Sequence, residues 1–266
     1  MSDAPSLEDD LALLERAVAA AAELVMGYFQ RDPKSWKKND VSPVSEADLA
    51  SDALLQDVLL SARPGYGWLS EETEDNRERL SHESVWIVDP IDGTNAFLQG
   101  KSDFTVCAGL ARGGEAVAGV VINPVNQQVF KAIKGRGAWL NDVPLAGPGS
   151  ASLSSARYLS RKNVMKPDRW HGDVPAPKPY YIGSLAYQLC VVAMGKYDAA
   201  VSVSGLHEWD IAAAGLILQE AGGIVTDQGG EPLRYNQALP LIDGMIAAGP
   251  ALHGEIRGAL IPKALT

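Results

Sequence analysis

Cysteine is nearly missing from this chain: 266 residues hold two, Cys107 and Cys190. Each lies inside an apolar run, with no Cys-x-x-Cys pair and no cysteine–histidine cluster. That excludes a disulfide scaffold and a thiolate metal centre, and predicts two reduced core residues in a cytoplasmic protein. Positive charge is also scarce, with 23 Lys and Arg against 33 Asp and Glu and a formal net charge of -10. Such a balance argues against non-specific binding to a nucleic-acid polymer or an anionic membrane, both of which reward clustered Lys and Arg. Long apolar runs are lacking too. The most apolar stretch near the N-terminus, Ala17 to Phe29, is too short to span a bilayer and contains Glu23. The first ten residues are acidic where a secretory signal is basic, so neither an export signal nor a membrane segment is expected. There is no internal repeat and no low-complexity tract.

What remains is a chain long enough for a large core, in one domain or in two lobes sharing an interface. Apolar residues recur at helical spacing from Leu7 to Phe29, and Ser6 with Asp9 forms an N-terminal cap signature. A second helix is expected from a Ser45 cap to about Ser61, ahead of Pro64 and Gly65, which places Asp48 in its first turn. Segments Val85–Asp89, Phe104–Ala111, Ala116–Ile122, Gln128–Ile133 and Ala138–Leu140 read as an antiparallel meander packed on those helices. Ala146-Gly147-Pro148-Gly149-Ser150 is the expected lobe boundary, giving an N-terminal α+β lobe over residues 1–148 and a C-terminal α/β lobe over 149–266. In the second, strands at Arg157–Ser160, Tyr180–Ile182, Ala199–Val203, Ile224–Thr226 and Met245–Ala248 alternate with helices at Ser184–Met194, Asp210–Glu220 and Ala251–Ala259.

The most informative six residues are Asp89-Pro90-Ile91-Asp92-Gly93-Thr94, which end the apolar run Val85-Trp86-Ile87-Val88 in two acids and a turn. Two carboxylates delivered from a buried strand need their charge offset, and a hard divalent cation does so with oxygen ligands. The Gly93 and Thr94 N–H groups suit an anionic oxygen. Glu71 follows the strand-like run Tyr66-Gly67-Trp68-Leu69, and Asp210 opens an apolar helix. Taken singly, each acid reads as a cap or a solvated turn. Together they reach the carboxylate count that a phosphate-ester hydrolase using two or three Mg²⁺ ions requires.

The ordered set Asp48, Glu71-Glu72, Asp89-Pro90-Ile91-Asp92-Gly93-Thr94 and Trp209-Asp210-Ile211-Ala212-Ala213 resembles the signature of the lithium-sensitive, Mg²⁺-dependent phosphatases. These are the inositol monophosphatases, the 3'(2'),5'-bisphosphate nucleotidases and their relatives. The resemblance covers nearly the whole chain and implies the layered α-β-α-β-α sandwich of the sugar phosphatases. It further implies that Glu71, Asp89 and the Ile91 carbonyl hold a first metal, and that Asp89, Asp92 and Asp210 hold a second. Asp48 would orient the Thr94 hydroxyl, which positions and helps deprotonate the attacking water, so Asp48, Thr94 and Glu71 form the catalytic set. Asp92, Gly93, Thr94, Gly183, Ser184 and Asp210 would meet a small phosphorylated substrate. Li⁺ is the implied inhibitor, and a homodimer is compatible with the family.

In the inositol-specific members a glutamate precedes the Trp-Asp motif, whereas Val201-Ser202-Val203-Ser204-Gly205-Leu206-His207 contains no acid. Gly205 to Asp210, with Glu231 to Asn236, is more similar to the bacterial nucleotidases that clear adenosine 3',5'-bisphosphate during sulfate assimilation. An inositol-1-phosphate or related sugar-phosphate phosphatase is the alternative, and a non-catalytic metal-binding module a remote one. Gly183 and Ser184 read equally as a substrate loop or as a plain Gly-Ser turn capping a helix. Other readings fail. Asp89-x-x-Asp92-Gly-Thr is one residue longer than the haloacid-dehalogenase motif, and Asn95 stands where a P-loop ending at Gly100-Lys101-Ser102 needs glycine. The acids around Gly93 lack EF-hand spacing, and His207 has no second histidine at zinc-ligand spacing.

Overall fold

Ser6 starts the regular structure by a reciprocal cap: Asp9 N–H donates to the Ser6 hydroxyl at 3.1 Å, and that hydroxyl donates to the Asp9 carboxylate at 2.8 Å. Helix α1 (Leu7–Tyr28) follows, with Leu14, Val18 and Val25 fully buried along one side. The computed structural model describes residues 5–38, 42–175 and 178–262. A short antiparallel hairpin, β1 (Ser35–Lys38) with β2 (Ser42–Ser45), leads into α2 (Glu46–Ala62), which Ser45 caps as the sequence predicts.

Seven strands then form one sheet in chain order: β3 (Gly67–Ser70), β4 (Ser84–Asp92), β5 (Thr105–Arg112), β6 (Glu115–Asn123), β7 (Gln128–Ile133), β8 (Gly137–Leu140) and β9 (Val143–Pro144). All pairs are antiparallel except β3 with β4, and a single short helix, α3 (Thr94–Leu98), interrupts the meander. The register of β4 on β5 carries the functional consequence. Asp89 faces Cys107 and Asp92 faces Thr105, so three steps on one strand match two on the other. In a regular strand, residues three apart point to opposite faces. The extra residue at Pro90-Ile91 is a bulge that brings both carboxylates to one side. It also accommodates a proline within a central strand.

The second half contributes β10 (Tyr158–Leu159), α4 (Leu185–Ala193), β11 (Ala199–His207), α5 (Glu208–Glu220), β12 (Ile224–Thr226), β13 (Leu241–Ala248) and α6 (Pro250–Ala259). Its four strands are ordered β10-β11-β13-β12. Helices α4 and α5 touch strands of both sheets, α1 and α2 cover the outer face of the large sheet, and α6 covers the small one. This is the α-β-α-β-α sandwich. Where α5 crosses the large sheet the strands carry Gly109 and Gly119; a Cβ on Gly119 would lie 2.8 Å from Ala213 Cα. Residues 145–150 have no regular structure, and the core cluster beneath them draws on both halves, from Leu69 and Ile87 to Leu216 and Ala247. Cys107 and Cys190 are free and buried in that cluster. No described helix is long and apolar enough to cross a membrane.

Two expectations are corrected. Tyr180–Ile182 is no strand; Tyr180 makes an isolated bridge to Leu159, because Pro179 supplies no N–H and no alternating run follows. Strand β11 continues past Val203 to His207, since β13 begins at Leu241 and pairs with the extension after an irregularity between Ser202 and Gly205.

Candidate active site

The bulge at the end of β4 and the start of α5 bring three acids together. Asp89, Asp92 and Asp210 each offer a carboxylate oxygen, and these atoms all lie within 4.8 Å of one another. Asp89 and Asp92 are buried. Burial, then the like charges of Glu71, Asp92 and Asp210, hold Asp89 well above the usual carboxylate range. Burial pushes Asp92 up to about 6, against the hydrogen bonds it accepts. Asp210 rises to about 7 through burial and the neighbouring Asp92, and Glu71 to about 8 through burial and then Asp210, Glu72 and Asp92. Burial and mutual repulsion thus act on all four acids in the same sense, and a bound cation would offset both. Hard, anionic oxygen donors in that number fit a magnesium-type divalent cation, and neither a soft metal nor a thiolate site.

Local structure fixes each acid. Asp92 is held by the N-terminus of α4: Ser184 Oγ donates to Oδ2 at 2.6 Å, Ala186 N–H to Oδ2 at 2.6 Å and Leu185 N–H to Oδ1 at 3.2 Å. Asp210 sits in the first turn of α5, where one oxygen accepts from His207 N–H at 2.9 Å. Asp48 occupies the same position in α2, accepting from Ser45 N–H at 2.8 Å and Ser45 Oγ at 2.5 Å. Its other oxygen accepts from the Thr94 hydroxyl at 3.0 Å, which is also 3.0 Å from the Ile91 carbonyl. Asp48 therefore caps α2 with one oxygen and meets Thr94 with the other, and Asp210 caps α5 while lying beside Asp89 and Asp92.

These groups open onto a cleft of about 550 Å³ whose wall includes Glu71, Asp89, Ile91, Asp92, Gly93, Thr94, Gly183 and Asp210. Asp48 is buried behind Thr94 and reaches the cleft through it. Ser184 is fully buried behind Asp92; its hydroxyl also accepts from Tyr187 N–H at 2.9 Å and lies 3.0 Å from Thr105 Oγ1. It thus serves the site by holding Asp92. Gly93 has φ 94°, and a Cβ there would meet the Asp103 carbonyl at 2.8 Å. Gly183 is also crowded, its would-be Cβ lying 3.0 Å from that of Ala96.

Sequence reasoning missed the basic rim. Lys38 Nζ donates to the Glu71 carbonyl and pairs with Glu72 Oε2 at 3.2 Å, while Lys101 and Arg161 line the cleft with Tyr181. Arg161 lies two residues past the short strand β10, a position at which a basic residue could have been noticed. Lys38 carried no signal, being one of a lysine pair on a polar hairpin. His207, set aside as a zinc ligand, stacks on Trp209 with ring centroids 4.3 Å apart.

Comparison with known proteins agrees with this geometry. Residues 6–263 match the inositol monophosphatase family. An inositol-1-monophosphatase of Rhizobium meliloti is 36% identical over 208 residues, covering 74% of this chain and 77% of its own. Inositol monophosphatase 2 of Homo sapiens is 32% identical over 259 residues, covering 86% and 88%. The crystal structure of the extragenic suppressor protein suhB from Bartonella henselae superposes with a TM-score of 0.80 at 26% identity, over 93% of this chain and 96% of that one. With a family match over nearly its full length and an acidic trio suited to the Mg²⁺ on which that family depends, the chain belongs to the inositol monophosphatase family and is a metal-dependent phosphoric monoester hydrolase.

Proposed function

We propose that the chain removes one phosphate from a 3'(2'),5'-bisphosphate nucleotide, converting adenosine 3',5'-bisphosphate to AMP and phosphate. The observation that carries this choice is the wall beside Asp210. Val201, Ser202, Ser204, Gly205 and Leu206 border the substrate side of the site, and none of them is an acid. A polyol ring presents hydroxyl donors that call for carboxylate acceptors; a substrate bearing a second phosphate does not.

In this reading Glu71, Asp89 and the Ile91 carbonyl would hold one Mg²⁺, and Asp89, Asp92 and Asp210 would hold another. Bound Mg²⁺ supplies acidification of water and neutralisation of charge on the phosphoryl oxygens. The chain's own residues do the rest. Asp48 takes the Thr94 proton into a hydrogen bond, which leaves the Thr94 oxygen free to accept one from the attacking water and so to aim it. Gly93 and Thr94 line the cleft where phosphate oxygens would rest, and Gly183 lines it with them. Residues 1–148 then supply most of the ligands and residues 149–266 supply Asp210 and the substrate wall. Free, buried cysteines are in keeping with a cytoplasmic enzyme.

Inositol 1-phosphate is the second reading, favoured by relatives named inositol monophosphatases. Phosphate release from adenosine 3',5'-bisphosphate, inositol 1-phosphate, histidinol phosphate and fructose 1,6-bisphosphate decides between them. The expected result is Mg²⁺-dependent turnover that is highest on the adenosine compound and suppressed by millimolar Li⁺. A clear preference for inositol 1-phosphate overturns the substrate choice, and activity undiminished by a chelator overturns the mechanism.

A further inference from the structure

Helix α2 turns a buried polar stripe toward the site: Asp48, Ser51 and Asp52 stand at positions i, i+3 and i+4, and all three are buried. Each holds a different piece of the chain. Asp48 takes the Thr94 hydroxyl, and the Ser51 hydroxyl donates to the Pro90 carbonyl at 3.1 Å, within the bulge of β4. Asp52 is the member that the mechanism leaves unused. Its two oxygens are occupied by two different hydroxyls: Ser70 Oγ donates to Oδ1 at 2.5 Å and Thr73 Oγ1 to Oδ2 at 2.6 Å. These two donors stand on either side of the pair Glu71-Glu72.

The turn needs such a hold because the sheet lets go of it. Strand β3 ends at Ser70, and the last backbone bond to its neighbour runs from Glu71 N–H to the Val88 carbonyl at 3.3 Å. Beyond that point the Asp52 carboxylate takes over from the ladder. Each clamped hydroxyl also accepts from its own segment, Ser70 Oγ from Glu72 N–H at 3.4 Å and Thr73 Oγ1 from Trp68 Nε1 at 3.2 Å. Glu72 is paired with Lys38, which leaves the Glu71 side chain to face the cleft. A carboxylate suits the task, since it accepts at two oxygens at once and its charge strengthens both bonds. We propose that Asp52 is a positioning residue for the cation site: by gripping Ser70 and Thr73 it fixes the turn from which Glu71 reaches the cleft. This rests on the reading above in which Glu71 helps to hold Mg²⁺, and deepens it by naming what orders that ligand before the ion arrives. Without the grip, Glu71 must be ordered as the ion binds, at a cost in affinity.

The test is calorimetric titration of Mg²⁺ into the metal-free full chain, with Tm measured on the same samples. Asp52→Ala should raise the Kd for Mg²⁺ by about 10–100-fold, the usual effect of losing a partner of a metal ligand. Ser70→Ala keeps the Asp52 charge and the Thr73 contact, and should raise the Kd several-fold, which separates a lost grip on the turn from a lost negative charge. Thr73→Val removes only the other donor at nearly constant volume, and repeats that test from the second side should Asp52→Ala not fold. A lower Tm in Asp52→Ala with unchanged Mg²⁺ affinity would make Asp52 a structural anchor only and overturn the inference. So would weakened binding in Asp52→Ala with none in Ser70→Ala or Thr73→Val, which would trace the loss to charge. Glu71→Gln tests the reading beneath: it should weaken Mg²⁺ binding too. Unchanged affinity in that variant would overturn the metal role of Glu71 and the inference together.

Discussion

The Thr94 hydroxyl donates to Asp48 Oδ1 across 3.0 Å, linking the turn after β4 to the first turn of α2. A hydroxyl has one proton, so while Asp48 accepts it the Thr94 oxygen presents only lone pairs to the cleft. Asp48→Asn ends that arrangement, because an amide can offer Thr94 a donor where an acceptor was required. The expected loss is about 10²–10⁴ in kcat, the usual worth of a positioned proton acceptor, with little change in KM. The fold should persist, since Ala47 N–H still donates to the Ser45 hydroxyl at 3.2 Å and keeps α2 capped. Near-normal kcat in this variant would remove Asp48 and Thr94 from the catalytic set.

A different readout applies to Ser184. Its hydroxyl both holds Asp92 and caps α4. Ser184→Ala should raise the Mg²⁺ concentration needed for half-maximal activity by about 10–100-fold, the usual effect of losing a partner of a metal ligand. It should also lower stability by about 0.5–2 kcal/mol through the lost cap. Ser184→Thr restores a hydroxyl and should recover most of the Mg²⁺ response. A variant that loses stability with an unchanged Mg²⁺ profile would show that Ser184 is only a cap.

Why the clustered acids were legible and the basic rim was not follows from how each is encoded. Asp89, Asp92 and Asp210 lie within short continuous motifs at element ends, where chain direction alone predicts that carboxylates emerge. The bulge at Pro90-Ile91 is the physical content of the motif's spacing: without it the two acids would face opposite sides of the sheet. Lys38 and Arg161 reach the site from segments distant in sequence, and single residues of common type carry no periodicity or spacing to reveal them. The layers were legible because the first half alternates strands with clear turns. Residues 161 to 182 were not, because prolines and scattered apolar residues there give neither a helical nor a strand period.

The fit of α5 onto the large sheet gives a prediction with two signs. A Cβ on Gly119 would lie 2.8 Å from Ala213 Cα and 2.9 Å from the Ala213 carbonyl, both backbone atoms that cannot swing aside. Gly119→Ala should cost about 1–3 kcal/mol in urea denaturation, the range for overpacking. Gly254, within α6, has nothing within 4 Å of the corresponding position. Gly254→Ala should stabilise by about 0.5–1 kcal/mol, because alanine loses less backbone freedom on entering a helix. If both variants moved stability the same way, close helix-to-sheet contact would not be what Gly119 provides.

The charge cluster makes stability depend on pH and Mg²⁺ jointly. Unfolded carboxylates titrate near pH 4. In the folded, metal-free protein Asp92, Asp210 and Glu71 are raised to about 6, 7 and 8. Between those limits the folded state binds more protons than the unfolded one, so their contribution favours folding at low pH and is lost as pH rises through the folded values. Mg²⁺ takes the protons' place and binds only once they leave, so its stabilisation grows over the same window. The measurement is Tm with Mg²⁺ minus Tm with a chelator, at pH 5.5 and at pH 8.5. Taking the difference cancels groups remote from the site, such as His253, whose lowered value acts in the opposite sense. The gap should be larger at pH 8.5, and Asp92→Asn should narrow it there, because one like charge and one ligand are removed together. A gap that is constant with pH would mean that the three carboxylates are not neutralised by a shared cation.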